Sequence, residues 1–429
     1  MKPTILHFGL GAFHRAHQAV YTEDAGGWRI EAVSMRDPSL ADAIETHPSY
    51  TLVTRAPDGP TLRQIDVIER GHALSRGAAP IVERLADPAV QVVTITVTEK
   101  GYGLDRATGG PDHTHPTMAH DLATPEAPRG LIGTLLLGLA ARKAADAGPL
   151  TIISCDNLPD NGRVLERLIH LTAARAHPDL RAWITQTCTF PNTMVDRITP
   201  ATSDATLELV RTETGRTDPL AVETEPFTQW VIEDRFAGPI PDWQAVGAEV
   251  VAEVAPYEMM KLRMLNGAHS AIAYMGALAG HAYVRDVMAD RALMPRVRAV
   301  MDAAARTLPA TLDTSAYARA LIDRFANPTI DHRCLQIAMD GSQKMPQRIF
   351  APVRDLLPVG GDVTAHAQAT AAWLRYLRTA EGISDPLADA LQDAARQDDP
   401  VSALVQVPGL DGTDVFADAR WKKAVRQAL

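Results

Sequence analysis

Short apolar segments alternate with helical patterns through the first two thirds of this 429-residue chain, and this alternation constrains the fold most. The predicted strands share a run of apolar residues and are Thr4–Phe8, Ile30–Ser34, Val90–Val97, Leu150–Ser154 and Trp183–Thr189. Helical patterns such as Leu131–Ala147 and Arg163–Ala176 lie between them. Strands that alternate with helices predict βαβ units and a mainly parallel sheet, which is an α/β fold.

The pattern changes near residue 255. Beyond it strand signals nearly vanish, and the predicted helices are Tyr257–Ala279, Ala289–Thr307, Ser315–Phe325 and Val363–Thr379. A chain of this length is expected to form more than one domain. We therefore predict an α/β domain over residues 1–255 and a mostly α-helical domain over residues 256–429. Within the first domain, the polar stretch Asp204–Asp242 is predicted to form loops and short strands.

The charge balance limits the partners that the chain is expected to bind. Aspartate and glutamate number 52 against 42 lysines and arginines, which gives a net charge of -10. This acidic balance disfavours a nucleic-acid or anionic-membrane partner. The N-terminus lacks a signal-peptide pattern, and no run of about 18 apolar residues predicts a membrane span. We therefore expect a cytoplasmic protein that acts on a small molecule.

Cysteine and histidine spacing gives no sign of a metal site. Cys155, Cys188 and Cys334 form no CxxC pair, and so sparse a set is typical of a reducing compartment. The sequence contains neither HExxH nor a Cys/His cluster at zinc spacing. We expect no metal, although fourteen histidines leave a non-local site open.

The segment that follows the first predicted strand has the pattern of a nucleotide-binding turn. Gly9 and Gly11 come directly after Thr4–Phe8, and a helical segment that contains Phe13 follows. Gly9 permits a tight turn, and Gly11 lets the backbone approach a pyrophosphate at the helix N-terminus. His14 stands where the third glycine of GxGxxG is expected. We predict that Gly9, Gly11 and Phe13 contact a dinucleotide.

The end of the second predicted strand should read the adenosine ribose of that dinucleotide. Arg36 and Asp37 stand there together. An acidic residue would bind the ribose 2′-hydroxyl and favour NAD, whereas an arginine would favour the phosphate of NADP. On spacing alone both cofactors stay open.

The most informative segment for chemistry is Tyr257–Ser270. On an α-helix that turns about 100° per residue, Glu258, His269 and Asn266 lie about 60°, 80° and 140° from Lys261. A lysine that faces a desolvated pocket has a lowered pKa and can act as a base near neutral pH.

Oxidation of a secondary alcohol needs such a base and a donor for the developing alkoxide. Lys261 is predicted to be the base and Asn266 the amide donor. His269 would hydrogen-bond the substrate oxygen, and Glu258 would pass the proton to solvent. The alternative is an amphipathic helix in which Lys261 and Glu258 only form a surface pair.

Two further segments follow predicted strands, where ligands bind in parallel sheets. Asn157, after Leu150–Ser154, is a candidate for a second amide donor. Asp196, after the strand predicted at Trp183–Thr189, is a candidate acceptor for sugar hydroxyls. Both lie among residues that also form ordinary turns and ion pairs, so a structural role is the alternative.

Taken together, these residues resemble a known family, the polyol-specific long-chain dehydrogenases, which include mannitol 2-dehydrogenase, D-arabinitol dehydrogenase and fructuronate reductase (mannonate oxidoreductase). The resemblance covers most of the chain. It rests on motifs in a fixed order, which are GLGAFHRAHQAVY at 9–21, TVTEKGY at 96–102, SCDNLPDNG at 154–162, FPNTMVDRITP at 190–200, EPFTQWVIEDRF at 225–236, YEMMKLRMLNGAHS at 257–270 and DGSQKMPQR at 340–348.

The resemblance implies a metal-independent NAD enzyme with a Rossmann-type N-terminal domain, a helical C-terminal domain and a site in the cleft between them. In the KxxxxNxxH pattern, Lys261 would be the general acid/base and His269 would orient the substrate. Asn266 and Asn157 would form the oxyanion hole, Glu258 would carry the proton, and Asp196 would lie at the active site. Most members prefer NAD, which tips the choice at Arg36 and Asp37 towards NAD.

The substrate is expected to be a polyol, a ketose or a sugar acid. Lys344 and Arg348 are candidate partners for a substrate carboxylate, which would favour a hexuronate; surface or interface charges are the alternative. Tyr257 and Lys261 also spell the YxxxK motif of short-chain dehydrogenases, but that motif normally lies much earlier in a shorter chain. Two other hypotheses stay open: a catalytically silent protein that binds NAD or senses a sugar, and a zinc-dependent enzyme.

Overall fold

The computed structural model describes residues 2–47 and 49–429. The chain divides into two compact units, Met1–Val254 and Ala255–Leu429. In the described part of the chain, no helix combines the length and the apolar character that crossing a membrane requires.

The strands named below lie in the first unit. In chain order they are β1 Thr4–Phe8, β2 Arg29–Ser34, β3 Tyr50–Ala56, β4 Gly59–Ile65, β5 Ile68–Ala73, β6 Val90–Ile95, β7 Leu104–Asp105, β8 Gly110–Pro111, β9 Leu150–Ser154, β10 Cys188–Thr189, β11 Thr193–Asp196, β12 Val222–Thr224, β13 Gln229–Glu233 and β14 Glu249–Val251. The main sheet has the order β10-β9-β6-β1-β2-β5, and every pair in it is parallel. The predicted parallel sheet is therefore confirmed.

Helices cover both faces of this sheet. The described helices of the first unit are α1 Ala12–Ala16, α2 Gln18–Ala25, α3 Ser39–Thr46, α4 Ala79–Leu85, α5 Pro116–Ala123, α6 Leu131–Ala144, α7 Asn161–Ala176, α8 Arg181–Thr187 and α9 Asp204–Thr214, with 3₁₀ turns at Leu74–Arg76, Glu99–Tyr102, Pro178–Leu180 and Gln244–Val246. Successive residues of β1 enter different core clusters, since Ile5 packs in one and Leu6 in the other. A strand buried on both faces reads as a continuous apolar run, which explains the predicted strands.

The strand predicted at Trp183–Thr189 is wrong over most of its length. Arg181–Thr187 is helix α8, and only Cys188–Thr189 pairs with β9. The aromatic and β-branched residues of this segment suggested a strand. In the helix, however, the hydroxyls of Thr185 and Thr187 donate to the carbonyls four residues earlier, and Ile184 alone is fully buried. One buried side chain in seven residues is compatible with a short helix, so the apolar pattern alone did not distinguish a helix from a strand.

The polar stretch Asp204–Asp242 also differs from expectation. It contains the short strands β12 and β13, but it opens with the eleven-residue helix α9. The Ser203 side chain caps that helix by accepting from the Thr206 N–H group. This is a normal helix start that the polar composition concealed.

The second unit is built from helices. They are α10 Ala255–Met260, α11 Gly267–Ala279, α12 Val284–Ala289, α13 Met294–Ala305, α14 Thr314–Phe325, α15 Cys334–Ala338, α16 Gly341–Met345, α17 Ala351–Leu356, α18 Thr364–Thr379, α19 Ala388–Arg396, α20 Pro400–Leu404 and α21 Ala419–Ala428, with a 3₁₀ helix at Thr413–Ala417. Two π turns, Lys261–Asn266 and Pro346–Phe350, interrupt the helical runs. Helix α11 is central, since it is buried from Gly267 to Gly276 and packs against α13, α15 and α18.

Candidate active site

The glycine turn after β1 has the geometry that the sequence predicted. Gly9 has a φ of +106°, and a Cβ atom placed there would overlap the carbonyl oxygen of Thr96, just past β6. Only glycine fits at such a position. Gly11 has room for a Cβ, whose nearest neighbour would be the Gly9 oxygen at 3.7 Å. The structure thus constrains Gly9 by packing and leaves the face of Gly11 open to a ligand.

His14 explains the missing third glycine of the motif. Its ring stacks on the ring of His7 in β1, with centroids 3.3 Å apart and planes 8° apart. In other motifs of this kind the third glycine lets the helix pack closely on the strand. Here two imidazoles make that contact. Burial lowers the pKa of His7 to about 3 and that of His14 well below 6.5, so both rings are neutral at pH 7.

The end of β2 carries the two residues that were expected to choose between NAD and NADP. Arg36 and Asp37 are both exposed. The Asp37 carboxylate accepts from the backbone N–H of Ser39 at 2.9 Å and from its hydroxyl at 2.7 Å, which lowers the pKa of Asp37. Asp37 therefore helps to start helix α3, and it holds its carboxylate ionised at the carboxyl edge of the sheet.

A cavity that the sequence did not indicate lies past the end of β5, the neighbour of β2. Its volume is about 440 Å³, and its lining consists of Leu74–Ala78 and Ala127–Arg129. The lining mixes apolar side chains with two arginines. No sequence motif marks this place, because the two segments are about fifty residues apart in the chain and meet only in the folded structure.

The turn after β9, which holds Asn157, contains a titratable pair that sequence reasoning missed. Tyr102 donates to the Asp156 carboxylate, and its hydroxyl lies 2.9 Å from the Ser154 hydroxyl. Burial raises the pKa of Asp156 to about 7 and raises that of Tyr102 well above 10. The signal was present in two motifs, since Tyr102 ends TVTEKGY and Asp156 lies in SCDN.

Hydrogen bonds tie this turn to the strand that ends at Asp196. The Asn161 amide donates to the carbonyls of Asp156 and Thr193, both at 3.0 Å, and Asn161 Oδ1 accepts from the Thr193 N–H at 2.9 Å. Asn161 is buried, so this link is well shielded from water. The structure therefore joins the Asn157 turn to β11, and Asp196 is the last residue of that strand.

The segment around Lys261 is not the continuous α-helix that was assumed. Lys261–Asn266 forms a π turn, in which the N–H of Gly267 reaches back to the carbonyl of Leu262, five residues earlier. A π turn bonds residues five apart instead of four, so it holds more residues per turn than an α-helix. The angle of about 140° between Lys261 and Asn266 assumed a regular α-helix and does not apply across this turn. Both are half-buried, whereas Arg263, Met264 and Leu265 are buried.

His269 follows the π turn in the first turn of α11. Its side chain is buried, and among the described residues its Nε2 atom has no hydrogen-bond partner. The ring packs on Phe325, with centroids 4.6 Å apart, and edge-on to His332 at 5.0 Å. Burial lowers the pKa of His269 well below 6.5, and the charges of His332, Arg324, Arg348 and Lys344 lower it further. This histidine is therefore neutral at pH 7.

The charges of Lys344 and Arg348 act on His269, and both side chains also donate hydrogen bonds to backbone carbonyls. Lys344 donates to the carbonyls of Ile337 at 3.2 Å and Met339 at 2.7 Å. Arg348 Nη1 donates to the Asn266 carbonyl at 3.4 Å and to the Ser270 hydroxyl at 3.3 Å. The structure brings Arg348 to the same helix as Lys261, Asn266 and His269.

Among the described residues, no three histidine, cysteine or acidic side chains are grouped so that they could hold a metal ion.

Two family models together match nearly the whole chain. A mannitol dehydrogenase Rossmann domain matches residues 3–245, and a mannitol dehydrogenase C-terminal domain matches residues 253–428. Among similar proteins, the D-mannonate oxidoreductase of Escherichia coli is 39% identical over 100% of this chain and 93% of its own length. The mannitol 2-dehydrogenase of Phaeosphaeria nodorum is 34% identical over 100% of this chain and 79% of its own.

Two solved structures are similar along the whole chain. A substrate-free D-sorbitol dehydrogenase is 30% identical and has a TM-score of 0.92, with 99% of this chain and 92% of that one covered. The mannitol 2-dehydrogenase of Pseudomonas fluorescens, in a ternary complex with NAD and D-mannitol, is 33% identical and has a TM-score of 0.80. The alignment with it covers 100% of this chain and 91% of that one.

Proposed function

The chain belongs to the mannitol dehydrogenase family, and from this premise we propose that it is an NAD-dependent dehydrogenase in which Lys261 is the general acid/base. It would interconvert a secondary alcohol of a C5–C6 polyol or aldonate with the matching ketose or keto-acid. The observation that carries the proposal is the π turn, which begins at Lys261, ends at Asn266 and is followed closely by the buried, neutral His269.

The three side chains divide the chemistry of alcohol oxidation between them. Lys261 Nζ, in its neutral form, takes the proton from the substrate hydroxyl. Asn266 donates its amide N–H to the oxygen on which negative charge develops. His269 donates a second hydrogen bond to that oxygen. This requires the neutral tautomer in which the nitrogen that faces the substrate carries the proton. Glu258 carries the proton from Lys261 to solvent, and reduction of the ketone runs through the same steps in reverse.

The first unit would supply the cofactor site and two further polar groups. The turn of Gly9 and Gly11, with Phe13 in the helix behind it, fits a pyrophosphate, because the structure leaves the face of Gly11 open. A bound nicotinamide accepts the hydride during oxidation. Asn157 would act as a second amide donor, and Asp196 would accept from substrate hydroxyls; the hydrogen bonds of Asn161 would hold both in place.

We propose NAD rather than NADP as the usual cofactor. The ionised Asp37 carboxylate at the end of β2 suits a ribose 2′-hydroxyl and repels a 2′-phosphate. The Pseudomonas fluorescens relative was solved with NAD. The exposed Arg36 beside Asp37 keeps NADP as the alternative. The cavity past β5 is a place for the adenine end of either cofactor.

The charges near His269 favour a sugar acid over a neutral polyol. Three basic side chains act on this histidine: Arg324, Arg348 and Lys344. Such a cluster of positive charges attracts a carboxylate. The electrostatic potential of the cluster is stronger where the side chains are partly buried than where they are fully solvated. Lys344 is the best candidate to contact that carboxylate directly. The D-mannonate oxidoreductase of Escherichia coli is named for a substrate of this class.

A substrate panel read as NADH absorbance tests the proposal. It would include D-mannitol, D-arabinitol, D-sorbitol, D-mannonate and D-altronate with NAD and with NADP, and D-fructose and D-fructuronate with the reduced cofactors. Turnover of acids alone would support the carboxylate site, and turnover of neutral polyols would place Lys344 and Arg348 in other roles. NAD binding without any turnover would favour a silent sensor. Loss of activity on chelation would favour a zinc enzyme and overturn the lysine mechanism.

A further inference from the structure

The two π turns of the second unit pack against each other. Arg348 lies in the middle of the turn Pro346–Phe350, and its carbonyl oxygen would be 3.0 Å from a Cβ atom placed on Gly267. Its side chain returns to the same place, where Nη1 donates to the Asn266 carbonyl and the Ser270 hydroxyl. Arg348 therefore touches the end of the Lys261–Asn266 turn with both its backbone and its side chain.

The junction that Arg348 contacts is the point where the helix changes its hydrogen-bond pattern. The π turn ends at Asn266 and α11 begins at Gly267. A π turn is rare and interrupts an otherwise regular helix, so it persists only where the surroundings hold it. Asn266 lies before this junction and Ser270 lies after it. One nitrogen atom of Arg348 thus links the two sides of the junction.

The contact of Arg348 is with the main chain of a residue whose side chain is proposed to be catalytic. A shift of the Asn266 carbonyl would move its amide, and with it the distance from that amide to Lys261 one turn away. Catalytic groups lose activity steeply when they move by about 1 Å. The charge of a guanidinium and its planar set of donors suit this task, since one nitrogen can serve two acceptors.

We infer that Arg348 is a positioning residue, which fixes the π turn and thereby the spacing of Lys261 and Asn266, and that it acts through Asn266 rather than by holding the substrate. This inference rests on the proposed function and deepens it. It also separates Arg348 from Lys344, whose donors serve the carbonyls of another segment.

The test compares Arg348→Met with Arg348→Lys and Ser270→Ala, and it uses Arg354→Met as the matched control. Arg354 lies on the following helix, where it forms an exposed ion pair with Asp414. Hydrogen exchange of peptides that cover residues 261–270 should become faster in Arg348→Met and stay unchanged in Arg354→Met. This readout needs no substrate, so it tests the inference even if the proposed activity is absent. Unchanged exchange in the Arg348 variant overturns the inference.

Kinetics then distinguish positioning from carboxylate binding. With D-mannitol and D-mannonate deuterated at the carbon that loses hydride, Arg348→Met should lower kcat about tenfold to a hundredfold. KM should change little, and the isotope effect on kcat should rise because the chemical step becomes slower. Arg348→Lys should recover part of kcat, and Ser270→Ala should have a smaller effect.

A selective rise in KM for D-mannonate, with kcat unchanged, would instead make Arg348 a carboxylate ligand and overturn the inference. If Arg348→Met does not fold, the same readouts on Arg348→Lys and Ser270→Ala decide the question. If Lys261→Ala retains turnover while exchange at 261–270 responds to Arg348, the proposed function fails and the positioning role stands.

Discussion

The glycine turn Gly9–Gly11 and the π turn Lys261–Asn266 each belong to a proposed site, but they differ in what constrains their backbone. The glycine turn is held by steric exclusion, since a Cβ atom on Gly9 would overlap the Thr96 carbonyl. The π turn contains neither glycine nor proline, and it is contacted by residues distant in the chain. Arg348, about eighty residues later, donates to the Asn266 carbonyl, and Arg263 within the turn donates to the Thr307 carbonyl. The steric need for glycine at the first turn can be predicted from the sequence. The change of hydrogen-bond pattern at the π turn cannot, because it depends on residues distant in the chain.

The two regions should also fail separately. Damage to the glycine turn should weaken cofactor binding, and damage to the π turn should slow chemistry while the cofactor still binds.

The largest expected effect is that of Lys261→Ala. Loss of the general base should lower kcat by about 10² to 10⁴-fold. NADH affinity, measured by fluorescence titration, should change little, since Lys261 lies outside the unit that carries the glycine turn. Tyr257→Phe is the matched control and should retain near-normal turnover. A collapse in Tyr257→Phe would revive the short-chain mechanism, and preserved turnover in Lys261→Ala would remove the central proposal.

A second pair of variants separates the two glycines of the turn. Gly9→Ala places a Cβ atom in the Thr96 carbonyl at a positive φ, so it should destabilise the chain by about 3 kcal/mol or more. Gly11→Ala meets no close neighbour and should fold normally, but it should weaken NADH binding about tenfold or more, because the methyl group keeps the pyrophosphate away. Thermal unfolding and NADH titration measure the two effects. Equal NADH affinity in Gly11→Ala and the parent chain would argue against the pyrophosphate site.

Gly267→Ala is expected to have an intermediate effect on the π turn. Its Cβ atom would lie 3.0 Å from the Arg348 carbonyl, so the two π turns must separate by a few tenths of an ångström. A displacement of this size should lower kcat by about tenfold with the cofactor affinity unchanged. Gly238→Ala is a suitable control, because its nearest neighbour would be Pro149 at 4.0 Å. Steady-state kinetics and NADH titration of both variants measure the difference, and identical kinetics would show that the π turn tolerates this movement.

A pH dependence is expected at the His7–His14 stack, and it affects stability rather than chemistry. The pKa of both rings is lowered in the folded chain, to about 3 for His7. The unfolded chain therefore binds protons first as the pH falls below about 6.5, and the folded state loses up to about 1.4 kcal/mol per pH unit for each histidine. The stabilisation is complete above pH 6.5 and declines towards pH 3. The charges that face His14 are those of His7, Arg15 and His17, and they oppose its protonation.

His14→Phe should keep the stacked contact and remove one of these titrations. Chemical unfolding at pH 7.5 and 5.0 should show a weaker pH dependence than in the parent chain, and His113→Gln, at an exposed position, should leave the dependence unchanged. If the free energy of unfolding depends on pH equally in His14→Phe and in the parent chain, the pKa of His14 does not differ between the folded and unfolded states.

Sequence reasoning predicted the architecture better than the details of the site. The parallel sheet, the helical second half and the family were all readable from apolar runs and ordered motifs. The strand at Trp183–Thr189 was misread because β-branched residues fit a short helix whose threonines bond to their own backbone. Tyr102 and Asp156 were missed because burial, which raises the pKa of Asp156 to about 7, is not a property of the sequence motif.

The amino-acid sequence by itself determined the order of strands and helices, the glycine turn and the identity of the polar residues offered for chemistry. These follow from local rules: a run of apolar residues needs burial, and a position with a φ of +106° and no room for a Cβ atom needs glycine. Only the tertiary structure decided that His14 stacks on His7, that Tyr102 donates to Asp156 and that Arg348 donates to the carbonyl at the end of the Lys261–Asn266 π turn. Each of these depends on a contact between residues far apart in the chain, and such contacts arise only when the elements pack.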